Sequence, residues 1–128
     1  MMQFLLRQVI QDQGQKLLQD TELAADVITI GSAPDQLIQL RGGAIARRHA
    51  LLQYKGGKLT LSCVDKGASV LIAGERVSKA ELAIGDEVFF ETHRLKVTAA
   101  PAGFDVACEL ASDYELQEHA FESAYVTD

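Results

Sequence analysis

At 128 residues, the chain is long enough to bury one hydrophobic core but not two. Its 48% apolar and 23% charged residues are ordinary for a soluble globular fold, which excludes a wholly disordered chain. No stretch approaches the roughly 18 consecutive apolar residues of a membrane span. The apolar N-terminus is too short for a signal peptide and has no leading positive charge. We therefore expect a cytoplasmic domain.

The net charge of −6 is unevenly distributed along the sequence. Residues 105–128 contain seven acidic residues and no Lys or Arg, which leaves 12 basic against 11 acidic residues in 1–104. The acidity therefore belongs to a C-terminal tail, and the body is nearly neutral. Residues 41–66 are basic, with Asp65 as their one acid; their cations are Arg41, Arg47, Arg48, Lys55, Lys58 and Lys66.

Short runs of β-prone residues alternate with turn residues along the body of the chain. The segment 15–25 fits either a strand or a loop. Paired glycines at 56–57 predict a tight hairpin, because glycine readily takes positive φ. In chain order the predicted strands are Phe4–Ile10, Val27–Ile30, Leu37–Leu40, Ala50–Tyr54, Lys58–Val64, Val70–Ile72, Arg76–Val77, Glu87–Thr92 and Leu95–Ala99, the last two joined by a turn at 92–94.

Eight to ten short strands with turns every 8–12 residues are typical of a β-sandwich. We predict an all-β fold of two antiparallel sheets over residues 1–104. Alternation of apolar and polar residues along each strand selects the inward-facing side chains. We expect these to include Ile28, Ile30, Leu51, Leu61, Val88 and Val97.

Residues 105–128 form a separate acidic tail in this interpretation. Leu110, Tyr114, Phe121 and Tyr125 recur at helical spacing, so an amphipathic helix somewhere within 107–124 is one of two equal interpretations. A disordered linker is the alternative. The tail either folds back over the basic loops or acts as a spacer toward a segment not included in this sequence.

Three sequence motifs follow one another along the body of the chain. The first is the strand Ile28–Gly31 with its polar loop and the strand Leu37–Leu40, and the second is the loop Ala46-Arg47-Arg48-His49-Ala50. The third is the segment Leu82–Val88, with Gly85-Asp86 at its centre. Each motif alone is weak, but in their order and spacing across about residues 4–99 they resemble the forkhead-associated (FHA) family, whose corresponding third segment is L-x-x-G-D-x-I.

The resemblance implies a β-sandwich whose loops at one end bind phosphothreonine peptides. Such loops require a cationic fork and hydroxyl or amide donors directed at the phosphate oxygens. Here Ser32 stands where the family has a phosphate-pairing Arg, and Ala46 stands where it has a phosphate-binding Ser. The segment Asp65–Val70 lacks the Asn that holds the peptide backbone in the family.

Two groups of site residues follow from this resemblance. The candidates for contact with a phosphate or peptide are Ser32, Arg41, Arg47, Arg48 and Ser69. Those expected to maintain the loops and turns are Gly31, His49, Asp65, Gly85 and Asp86. In the family, the counterpart of His49 braces loops and the Gly-Asp turn is architectural.

Catalysis, metal binding and cofactor binding are not predicted. His49, His93 and His119 share no spacing typical of metal ligands, and no nucleophile–base arrangement can be argued from sequence separation. Cys63 and Cys108 match no metal motif and are expected to be reduced thiols, although a single disulfide stays open. The glycine pairs follow neither nucleotide-loop pattern.

The sequence therefore predicts a non-catalytic protein-interaction scaffold, a degenerate FHA-like module without strict dependence on phosphothreonine. Similar domains occur as cytoplasmic parts of larger membrane-anchored bacterial proteins, so a membrane is expected only through a segment not present here. One alternative is a phosphopeptide reader that uses Arg47, Arg48 and Ser69. The alternative of another class, a binder of a small ligand or nucleic acid, is disfavoured by the acidic total.

Overall fold

A computed structural model describes residues 1–112 of the chain, apart from the side chains of Gln11 and Asp12. Within that range all regular elements are strands, and no helix is long and apolar enough to cross a membrane. The strands are β1 (Met2–Asp12), β2 (Gln15–Ala25), β3 (Val27–Gly31), β4 (Ile38–Gln39), β5 (Ala50–Lys55), β6 (Lys58–Cys63), β7 (Val70–Ile72), β8 (Glu75–Val77), β9 (Lys79–Leu82), β10 (Glu87–Phe90), β11 (His93–Thr98) and β12 (Val106–Ala111).

The strands form the predicted sandwich of two sheets. One sheet has the order β2-β1-β12-β11-β10-β7-β8, and the other has the order β4-β3-β5-β6-β9. The sheets are mixed rather than purely antiparallel, because β1 pairs with β12 and β3 pairs with β4 in parallel. The β1–β12 pair joins strands at opposite ends of the described chain, which alternation within single strands cannot reveal.

The core lies between the two sheets and consists of the inward side chains of both. Five of the six side chains predicted to face inward are buried, with Ile28, Ile30, Leu61 and Val88 at 0% exposure and Val97 at 5%. The prediction is wrong for Leu51, which is only partly buried, since Leu52 is the residue at 0% exposure. Because both residues are leucines, only the cross-strand register decides which of them faces inward. Leu52 lies opposite Ile28 on one side and Leu61 on the other.

The strand β12 lies beyond the predicted domain boundary at residue 104. Residues 106–111 are central in the larger sheet, between β1 and β11, and Leu110 is 2% exposed in the core. The helical interpretation of residues 107–111 is therefore wrong, because sheet pairing on both sides fixes them as a strand. Tyr114, Phe121, Tyr125 and the rest of the predicted helix or linker lie outside the described residues.

Residues 15–25, left open between strand and loop, form the edge strand β2. It pairs with β1 along eleven residues, from Met2 with Ala25 to Asp12 with Gln15. The pairing of β1 with β12 ends at Val9, so residues 10–17 extend past the neighbouring strand as a projecting hairpin. We call residues 10–17 the hairpin arm.

Three connections meet at one end of the sandwich. These are residues 32–37, 40–49 and 64–69, which follow β3, β4 and β6. The β10–β11 turn lies at the same end, at residues 91–92 rather than the predicted 92–94, because His93 and Arg94 already pair in β11. We call this end the loop end.

Candidate functional site

The loop end is organised around a close approach of two backbones. A Cβ on Gly31 would lie 2.2 Å from the carbonyl oxygen of Arg47, so only glycine fits there without moving the backbone. Next to this contact the Ser32 N–H donates to the Ala46 carbonyl at 3.0 Å, and the Ala33 N–H donates to the Arg47 carbonyl at 3.1 Å. The loop that carries Arg47 is therefore fixed against the end of β3.

His49 joins the 40–49 loop to the 64–69 loop. Its Nδ1 accepts from the backbone N–H of Ala46 at 3.1 Å, and its Nε2 donates to the carbonyl of Ser69 at 2.8 Å. These two partners require the tautomer with hydrogen on Nε2. The ring is 4% exposed and meets Phe90 edge-on, with 5.4 Å between the centroids. The histidine is thus buried within the scaffold and positions both loops.

The arginines of the 40–49 loop are exposed at the surface of this scaffold. Arg48 forms an ion pair with Asp35 at 3.3 Å, and the charge of Arg47 also acts on this carboxylate. Neither Arg41 nor Arg47 makes a side-chain hydrogen bond or a close ion pair within residues 1–112. The pKa of Asp35 is lowered, mainly by a hydrogen bond from Gln36 and further by the charge of Arg48. Two of the three guanidinium groups are therefore available to an anion from outside the described part of the chain.

Ser69 belongs to a cleft that also contains a residue the sequence analysis missed. The Arg76 guanidinium donates to Ser69 Oγ at 3.2 Å. The two residues line a cleft of about 210 Å³ together with Ala44, His49 and Glu91. Arg76 pairs with Leu71 across the β7–β8 turn. Pairing the residues on either side of this turn would therefore have placed the Arg76 side chain near Ser69, which lies two residues before Leu71. The cleft holds one cation and one acid, so its charge is balanced.

The substituted positions lie where the resemblance implies phosphate contacts. Ser32 and Ala46 are adjacent through their backbone hydrogen bond, and both are partly exposed. Ser32 offers a hydroxyl group in place of a guanidinium, and Ala46 offers no side-chain donor. Asp65 is exposed, and its carbonyl closes a turn by accepting from the Ala68 N–H at 3.0 Å. This corner of the site therefore presents fewer donors than the resemblance implies.

Gly85 and Asp86 lie at the opposite end of β10 from the loop end. Asp86 Oδ2 accepts from the Ala83 N–H at 2.8 Å, and Gly85 takes the turn at φ +99°. β10 runs from this turn to Phe90, whose ring contacts His49. The pair closes a turn and contacts no residue of the candidate site.

His93 was not predicted to belong to the loop end, yet it holds the start of the 40–49 loop. It is 5% exposed, and its Nε2 donates to the carbonyl of Arg41 at 2.7 Å. The contact spans 52 residues, so no local pattern indicates it. Within residues 1–112, no cluster of His, Cys, Asp and Glu side chains is suited to hold a metal ion.

Comparisons with known proteins agree with this geometry. The sequence model of the FHA domain matches residues 28–90, which contain all but the first residue of β3, the strands β4 to β10 and all three loops. A search of curated sequences finds no significant match.

The solved structures with a similar fold include several FHA domains. The FHA domain of CT664 from Chlamydia trachomatis has a TM-score of 0.60 at 17% identity, covering 77% of this chain and 99% of its own. EmbR of Mycobacterium tuberculosis, in complex with a low-affinity phosphopeptide, has a TM-score of 0.57 at 24% identity. That match covers 66% of this chain but 23% of EmbR. The FhaA FHA domain, complexed with the intracellular domain of Rv3910, has a TM-score of 0.50 at 21% identity, covering 66% and 87%.

FHA domains are non-catalytic protein-interaction modules that bind phosphopeptides. The match spans the strands and loops that carry Gly31, Arg47 and His49. On its sequence match over residues 28–90 and its fold, this chain contains an FHA domain.

Proposed function

We propose that the chain is an interaction module whose loop end binds an anionic segment of a partner protein, with only a weak preference for phosphothreonine over an acidic side chain. The observation that carries this proposal is that a rigid loop scaffold presents few hydrogen-bond donors for a phosphate. The Gly31 contact and the His49 bridge hold Arg47 at the surface, while Ser32 and Ala46 supply few phosphate contacts.

The binding free energy that the two missing contacts would contribute supports a weak dependence of binding on phosphate. Hydrogen bonds to charged groups contribute about 1.5–3 kcal/mol each when well oriented. The absence of an arginine at position 32 and of a hydroxyl at position 46 therefore lowers phosphate affinity by about two to four powers of ten. Arg47 and Arg41 keep a general attraction for anions, which a carboxylate satisfies nearly as well as a phosphate.

One observation favours a second candidate, a strict phosphopeptide reader. Ser69 Oγ accepts from Arg76, which leaves its own hydroxyl hydrogen free to donate to an oxygen in the cleft. Arg47, Arg48, Ser69 and Arg76 together would then replace the missing contacts. Against this candidate, Arg48 already pairs with Asp35, and Glu91 lines the same cleft and repels a dianion.

Calorimetric titration with three peptides of one sequence separates these candidates. The central residue is phosphothreonine, threonine or glutamate, and acidic residues flank it. We expect the phosphothreonine form to bind less than about tenfold more tightly than the threonine form, a difference of about 1.4 kcal/mol. Arg47→Ala should weaken all three complexes by a similar factor.

The matched control is Lys58→Ala, which removes an exposed cation from the β5–β6 hairpin outside the three loops. It should leave all three affinities unchanged. Submicromolar binding that requires the phosphate and is abolished by Arg47→Ala would establish the strict reader instead. Failure of every acidic peptide to bind would overturn the proposed function.

A further inference from the structure

The hairpin arm presents apolar side chains that nothing in residues 1–112 covers. Ile10 and Leu17 are register partners, with 38% and 46% of their surfaces exposed. By the alternation of β1, Ile10 lies on the same face of the sheet as the buried Phe4 and Leu6. The arm thus continues the core-facing side of the sheet beyond the point where the opposite sheet covers it.

The described chain ends beside this uncovered face. Ala111 pairs with Val9 of β1 and with Arg94 of β11, so Ser112 follows at the level where the arm begins. His93, the neighbour of Arg94, holds the Arg41 carbonyl at 2.7 Å. Ser112, the last described residue, therefore lies at the loop end, with Ile10 on one side and the 40–49 loop nearby.

The composition of residues 113–128 complements both surfaces. This segment has no Lys or Arg, and its acids are Asp113, Glu115, Glu118, Glu122 and Asp128. Apolar side chains are interspersed among them, including Tyr114, Leu116 and Phe121. Sixteen residues at about 3.3–3.6 Å each reach up to about 50 Å, far enough to cover the arm and the 40–49 loop together.

We propose that residues 113–128 dock on the loop end of their own domain and compete with the anionic partner segment. Apolar side chains of the segment cover Ile10 and Leu17, and its carboxylates pair with Arg41 and Arg47. The competition rests on the proposed function, whereas the docking itself does not. Because exposed ion pairs contribute little individually, the apolar contact with the arm is needed to hold the segment in place.

The first test is amide hydrogen exchange in the full chain, which requires no peptide ligand. The test variant carries Glu115→Gln, Glu118→Gln and Glu122→Gln. The control variant carries Glu22→Gln, Glu75→Gln and Glu81→Gln, which change the net charge equally at exposed positions outside the three loops. We expect faster exchange of the amides of residues 41–48 in the test variant only. The difference should vanish at about 1 M salt, where the Debye length falls to about 3 Å.

Leu17→Ser probes the apolar part of the contact. Leu17 is exposed on the arm, so the substitution removes no core packing. It should speed exchange in residues 41–48 as the charge variant does, although it changes no charge. Equal exchange in the parent, the charge variant and Leu17→Ser at low salt would overturn the docking proposal.

The second test measures competition with the acidic peptides. At low salt, the glutamine variant of the segment should bind them about 5–10 fold more tightly than the parent or the control variant, the effect of a few exposed ion pairs. Peptides that bind all three proteins equally would overturn the competition. If no peptide binds any of them, the proposed function fails and the competition with it, while hydrogen exchange still decides whether the segment docks.

Discussion

Replacement of His49 tests whether the loop end depends on one buried side chain. In His49→Ala, the Ala46 N–H and the Ser69 carbonyl both lose their partners. Each partly buried group left without a hydrogen bond costs about 1–2 kcal/mol, and loss of the edge-on contact with Phe90 adds about 0.5–1.5 kcal/mol. We expect a decrease of about 2.5–5.5 kcal/mol in the free energy of unfolding.

Two further substitutions divide this loss between the two partners. His49→Asn keeps an oxygen near the position of Nδ1 and so retains an acceptor for the Ala46 N–H. His49→Gln places an amide nitrogen near the position of Nε2 and retains a donor to the Ser69 carbonyl. Each should recover about 1 kcal/mol relative to His49→Ala.

Urea unfolding at equilibrium is the appropriate assay. The dependence of the unfolding free energy on urea should stay constant across the series, which shows that stability alone has changed. His93→Ala is the matched control, since its ring is equally buried but makes a single hydrogen bond, to the Arg41 carbonyl. A loss below about 1 kcal/mol in His49→Ala would refute the bridging role, because one orphaned backbone group already costs that much.

Two other substitutions have defined outcomes. Ala73 has φ +52° and precedes Gly74 at φ +79° in the β7–β8 turn, so Ala73→Asn should stabilise the protein by about 0.5–1 kcal/mol. The control Ala102→Asn, at a position outside the positive-φ residues, should not stabilise it. Equal melting temperatures of the two variants would contradict this prediction. Burial raises the pKa of the Cys108 thiol from 9.0 to about 12, so the unfolded chain releases this proton first and stability falls as pH rises from 9 toward 12. In urea titrations, Cys108→Ala should reduce the loss of unfolding free energy with rising pH by up to about 1.4 kcal/mol per pH unit. If the unfolding free energy has the same slope against pH in both proteins, the thiol ionises while the protein is folded.

The strands and most of the core follow from local pattern. Alternation placed Ile28, Ile30 and Leu61 inward because one face of each strand must be buried, and side chains along a strand repeat every two residues. Turn positions at glycine were equally predictable, since few other residues accept positive φ. Where both alternatives were apolar, as at Leu51 and Leu52, local pattern could not choose and cross-strand register decided.

The sequence by itself determined the fold class and the family motifs, because these depend on local spacing and residue identity. That Ser32 and Ala46 replace phosphate-binding residues of the family stays a prediction. The tertiary structure alone decided that residues 106–111 are a central strand parallel to β1, since that pairing joins the two ends of the described chain. It likewise decided that Arg76 reaches Ser69 and that His93 holds Arg41, contacts whose partners are supplied by separate strands. Hydrogen bonds between distant segments form only after the sheets have paired, and no period in the sequence encodes them.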